Sequence, residues 1–156
     1  MKALGLILSI LSIVLAGCAG KEEVFTPEML GEQVIVAFSK NDFKSFHTCY
    51  ITPKEMKEKL RPEEEDGFLV LYEFIHENAE LSYSRIVSQG KENGINWKLA
   101  KYKGVEYKII KEERADIYVN FTASDKCYVL KLEDCLLTTN GGWRLNNDVT
   151  FSKIPY

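Results

Sequence analysis

Histidine is scarce in this chain, with His47 and His76 the only two in 156 residues, and no pair of cysteines is spaced as Cys-x-x-Cys. A structural zinc site draws three or four ligands from such residues, so the sequence offers no metal centre and implies no cofactor. Basic blocks are missing too: 20 lysines and arginines face 23 acids, and the lysines alternate with glutamates through 54–59 and 108–113. Neutralising phosphates takes a basic stripe, which excludes nucleic acid as a partner. No Gly-x-Ser-x-Gly elbow, phosphate-binding glycine loop or His-Glu-x-x-His is present, so none of the common catalytic sets can be assembled. Internal repeats and long low-complexity stretches are also absent.

Long apolar runs are limited to one. Ala3 to Gly17 spans 15 residues behind Lys2, whereas a helix crossing the hydrocarbon layer needs roughly 20. The run therefore reads as a signal segment rather than a retained membrane helix, with small residues at Gly17 and Ala19 around a cleavage point. The four residues Leu15-Ala16-Gly17-Cys18 resemble the processing box of bacterial lipoproteins. That resemblance implies removal of residues 1–17, lipidation of Cys18 and export to the cell envelope, with the membrane as first partner. Two or three acyl chains, at about 0.8 kcal/mol per buried methylene, hold a protein stably where one does so marginally. Ala19, in place of aspartate after the cysteine, looks like the outer-membrane sorting pattern of some Gram-negative bacteria, which implies that membrane in such a cell. Without residues 1–17 the chain carries 19 basic and 23 acidic groups, a net charge of −4.

Residues 18–26 then form a short linker, and 27–156 are the size of one domain. Thr26-Pro27 opens a helix with a capping hydroxyl and a proline in the first turn, and Leu30, Val34, Ala37 and Phe38 share its apolar face. Asp42 caps a second short helix offering Phe43, Phe46, Cys49 and Tyr50 to a core. Thr52-Pro53-Lys54-Glu55 matches a capping box. Pro62 with Glu63-Glu64-Glu65-Asp66 predicts another start, since a helix N-terminus favours carboxylates, and Phe68, Leu71, Tyr72, Ile75 and Ala79 follow on one face. Periodicity leaves two readings through Val87: one long helix, or a helix and a strand.

From Ile95 the period is two. Trp97 and Leu99 predict a first strand, Val105, Tyr107 and Ile109 continue after Lys103-Gly104, and Ala115, Ile117, Val119 and Phe121 alternate with polar residues. Ser124-Asp125 turns into a strand presenting Tyr128, Leu130, Leu132 and Leu136, and Asn140-Gly141-Gly142 makes a further hairpin. The pattern predicts an α+β domain: N-terminal helices packed on a strongly curved antiparallel sheet of about four to six strands. Cys127 and Cys135, eight residues apart on one strand, sit about 26 Å from each other and cannot bond. One bridge from Cys49 to Cys127 or to Cys135 suits an exported chain; buried thiols are the alternative.

Phe38-Ser39-Lys40-Asn41-Asp42-Phe43-Lys44-Ser45-Phe46 and Asn140-Gly141-Gly142-Trp143-Arg144-Leu145 are similar to the opening and terminal hairpin of nuclear transport factor 2-like domains. That resemblance implies a cone-shaped (cystatin-like) fold and, in catalytic members, an aspartate-histidine pair or a tyrosine with a protonated acid inside the cone. No such pair maps onto this chain, so no catalytic residue is carried over. His47 and His76 remain candidates for general base or ligand contact, and Tyr102, Tyr107 and Tyr128 for an aromatic pocket. The function these features predict is a membrane-anchored, non-catalytic module that binds a small apolar ligand or another envelope protein. A small hydrolase or isomerase working in the cone is the alternative.

Overall fold

A computed structural model describes residues 24–60 and 67–153. Four helices, α1 (Pro27–Lys40), α2 (Phe43–His47), α3 (Pro53–Lys57) and α4 (Phe68–Glu92), precede five strands, β1 (Lys101–Lys111), β2 (Arg114–Ala123), β3 (Lys126–Leu137), β4 (Trp143–Arg144) and β5 (Val149–Lys153). The helices pack on one antiparallel sheet, ordered β1-β2-β3, whose third strand is flanked on its far edge by β4 near Leu136 and by β5 near Leu130. The molecule is α+β, as the change of hydrophobic period predicts. No described helix is long and apolar enough to cross a membrane.

Local chemistry sets the helix ends. The Thr26 side chain accepts the Met29 N–H at 3.2 Å while Pro27 occupies the first turn, and α1 stops where Asn41 turns left-handed at φ 52°. Asp42 accepts the Ser45 N–H at 3.0 Å and starts α2. The capping box of α3 is complete: Thr52 takes the Glu55 N–H at 3.2 Å and Glu55 takes the Thr52 N–H at 2.9 Å. Phe68 to Glu92 is one helix, which decides between the two readings left by periodicity. The acidic run Glu63–Asp66, with residues 1–23 and therefore Cys18, lies outside the described residues.

In α4, Ile75, Ala79, Ser82, Tyr83, Ile86 and Gly90 face inward, but Leu71, placed on the inner face by the sequence reading, is exposed. The first strand also starts later than expected. Trp97–Leu99 forms a 3-10 turn, because the indole is taken up by packing: its ring lies 4.9 Å from Phe38 and 5.4 Å from Phe121, centroid to centroid. Gly90 makes this possible, since a Cβ there would stand 2.4 Å from the Trp97 Nε1.

On the sheet, Ala115, Ile117, Val119, Phe121 and Ala123 of β2 are buried, as are Tyr128, Leu130 and Leu132 of β3, and α1 packs on β1 and β2. A bulge shifts the register between Ala115 and Ile117. Asp134, at φ 53°, is the residue out of step. The bulge turns Cys135 rather than Leu136 to the core, the parity change that one extra residue imposes. The Asp134 N–H is satisfied by the Asp116 carboxylate at 3.1 Å. Burial pushes the Asp116 carboxyl up, but that N–H and Lys131 at 3.0 Å outweigh it and hold it below its usual value.

Cys49, Cys127 and Cys135 are thiols in this structure, the alternative to the bridge. Cys127 lies on the exposed side of β3, away from the core that holds Cys49. Cys135 is buried near Cys49, where the Leu145 N–H donates to the Cys49 carbonyl at 2.9 Å and Arg144 pairs with Leu136.

Candidate functional site

α2 and α4 bring the two histidines together. His47, the last residue of α2, and His76, two turns into α4, face each other with Nε2 and Nδ1 2.5 Å apart and rings nearly perpendicular. One nitrogen must donate and the other accept, so the contact fits neutral rings or a single shared proton, never two protonated rings. Burial lowers the pKa of His47 from 6.5, the charge of His76 lowers it further, and Glu80, one turn beyond His76, opposes both. Tyr72 stacks on His76 and Tyr50 on His47, with centroids 6.4 and 6.5 Å apart.

His47, Tyr50 and Tyr72 line a cleft of about 340 Å³ with Phe25, Thr48, Ile51, Thr52, Pro53 and Arg144. That volume lies in the lower range of small-ligand sites. Arg144 at its wall is nearly sealed from solvent. Its Nε donates to Glu55 Oε1 at 2.8 Å, its Nη1 to the Thr48 carbonyl at 3.5 Å, and its guanidinium lies over the Phe25 ring at 4.7 Å. Glu55 Oε2 meanwhile accepts from the Thr52 N–H and hydroxyl, both at 2.9 Å. The capping box of α3 thus also anchors the cation under the cleft. With that charge neutralised, the opening presents aromatic and aliphatic surface and a single imidazole edge.

Behind the cleft, Tyr50 reaches toward α4. Its hydroxyl is buried beside Ser82, whose own hydroxyl is committed to Asp148, and no partner stands in hydrogen-bonding geometry. Burial pushes this phenol well above its usual value, with Ser82 opposing. Asp148 also receives Arg85, which bonds the Val149 carbonyl at 2.9 Å and ties α4 to β5.

A larger opening of about 490 Å³ lies between α3, α4 and the β1–β2 turn, with Met56, Leu60, Phe74, Arg114 and Asp134 in its walls. Lys59 and Glu113, both on its lining, pair at 2.7 Å, so its charges are mutually committed. The smaller cleft holds one member of the histidine pair in its wall beside aromatic rings.

The predicted tyrosines do not gather. Tyr128 is buried against Phe121 at 5.3 Å, Tyr102 packs near Gly31 of α1, and Tyr107 is exposed on the outermost strand. The aromatic residues that do line the cleft, Phe25, Tyr50 and Tyr72, were read from the sequence as linker or core positions. Arg144 was read only as part of a hairpin. A helix-facing residue that borders an opening has the same periodicity as one that fills a core, so only tertiary packing distinguishes them. Among the described residues no group of three or more histidines, cysteines or acids is placed to hold a metal. Comparison of the chain with protein families, with curated proteins and with solved structures finds no match.

Proposed function

We propose that this chain is a lipid-anchored envelope protein of the nuclear transport factor 2-like type, and that it works as a non-catalytic binding module with the His47–Tyr50–Tyr72 cleft as its seat. The observation that carries the binding reading is that cleft: about 340 Å³, walled by aromatic rings above a neutralised Arg144–Glu55 pair, with one imidazole edge to orient a guest. Such a site fits a small, mostly apolar molecule with one hydrogen-bonding group. Anchorage rests on Leu15-Ala16-Gly17-Cys18.

Two measurements test the parts separately. Growth with a clickable palmitate analogue is expected to label the chain and to leave Cys18→Ser unlabelled; an unlabelled parent overturns the anchor. A nuclear magnetic resonance screen with small neutral aromatic probes is expected to shift His47, Tyr50 and Tyr72 together and to lose those shifts in Tyr72→Ala. Shifts elsewhere, or none at millimolar probe, overturn the seat. A second reading, a small hydrolase or isomerase, draws on His47, whose lowered pKa keeps a neutral base at the cleft mouth. Turnover of esters, lactones or ketosteroids abolished by His47→Gln would put that reading in place of the first.

A further inference from the structure

Among the described residues β1 is the outer strand of the sheet, paired with β2 on one side only. Its register with β2 is broken at Lys103 and again at Ile110, leaving an uninterrupted stretch from Gly104 to Ile109. Val105, Tyr107 and Ile109 pair with Val119, Ile117 and Ala115 and so share the core-facing side. α1 packs over the first of them, with Val105 beside Gly31. Tyr107 is 54% exposed and Ile109 51%, and Ile110 at the bulge is 48% exposed. Glu106 and Lys108 point to the other face, where Lys108 pairs with Asp116, itself bridged to Lys131. An open strand edge of this kind is a template for another strand unless something occupies it.

The five residues Val105-Glu106-Tyr107-Lys108-Ile109 are chemically palindromic. Turned antiparallel on itself about Tyr107, the stretch sets Val105 opposite Ile109, Glu106 opposite Lys108 and Tyr107 opposite its own copy. Both faces then match at once: three apolar pairs on the core-facing side and two ion pairs on the other. The charge row Lys131, Asp116, Lys108 would continue with Glu106 of the second copy, alternating in sign. Lys103 and Lys111, which strict continuation would oppose, lie beyond the two bulges. We propose that this edge pairs with β1 of a second copy of this chain, joining two five-stranded sheets into one across a two-fold axis at Tyr107.

The contact is short, smaller than the roughly 800 Å² per partner of a standard interface, so self-association with a dissociation constant on the order of 10–100 µM is expected. Sedimentation equilibrium on the purified chain in non-ionic detergent, carrying Cys127→Ser to exclude disulfide-linked species, tests it. Glu106→Lys and Lys108→Glu each turn two attractive pairs into repulsive ones and are expected to weaken the dimer about tenfold. The double swap restores the pairing and is expected to recover most of that loss. Both positions are exposed, and circular dichroism checks that each variant is folded. A parent chain that stays monomeric to about 1 mM, single swaps without effect, or a double swap no better than either single would each overturn the proposal.

Discussion

Arg144 and Glu55, 89 residues apart in sequence, form the most enclosed ion pair among the described side chains, with side-chain exposures of 6% and 2%. The pair joins β4 to the first turn of α3 and underlies the cleft. A buried charge that loses its partner is far costlier than the pair is worth, because the survivor remains desolvated. Arg144→Met is therefore expected to cost about 3–5 kcal/mol in urea unfolding. Adding Glu55→Leu should then recover part of that loss rather than deepen it, short of the capping bond that Glu55 also gives to α3. Strictly additive losses would show that the two side chains do not act as a pair.

The histidine contact makes a pH prediction. His47 titrates below 6.5 in the folded chain because of burial and of His76, so on acidification the unfolded chain takes up this proton first. The stability it contributes is complete above pH 6.5 and drains as pH falls from there through the folded value of His47. His76→Gln removes one of the two lowering influences while keeping a hydrogen-bonding side chain. The His47 ring resonances are expected to titrate closer to 6.5 in that variant, and the acid loss of stability to shallow. An unmoved titration would mean that His76 does not act on His47.

Gly90 sets helix propensity against packing. Glycine inside a helix costs about 1 kcal/mol relative to alanine, so on an isolated helix Gly90→Ala would stabilise. Here the new methyl would meet three indole atoms of Trp97 at 2.4 to 2.7 Å, and that ring is stacked on Phe121 and packed at a tilt against Phe38. Net destabilisation of about 1–3 kcal/mol is expected, the range for overpacked cores, with a red-shifted tryptophan emission as the indole is displaced. A gain in stability would show that the ring yields at little cost.

Helix starts and strand alternation were legible because each depends on neighbours in sequence: Thr26 with Pro27, Asp42 with Ser45, Thr52 with Glu55, and the two-residue period of 115–123. What was not legible depends on partners far along the chain. Trp97 has the alternation of a strand residue, yet Gly90 and Phe38 draw it into a 3-10 turn. Leu136 has the spacing of a core residue, yet the bulge at Asp134, held by Asp116, gives that place to Cys135. The cleft was half visible. His47 and His76 stood out by rarity, whereas their meeting depends on how α2 packs on α4, and Arg144 acquires its role only when Glu55 is folded beneath it.

The cysteines give the last prediction. Cys127 is exposed while Cys49 and Cys135 are fully buried, and burial pushes the Cys135 thiol well above its usual value. A thiol reacts through its thiolate and only when reached, so burial and a raised pKa act in the same direction at Cys135. With Cys18→Ser to remove the fourth sulfur, the native chain at neutral pH is expected to take up one equivalent of a thiol reagent and the denatured chain three. Cys127→Ser should abolish the native reaction and leave the other two sites silent until the fold opens. If denaturation without reductant instead reveals only one reactive thiol, Cys49 and Cys135 are bridged in the folded chain.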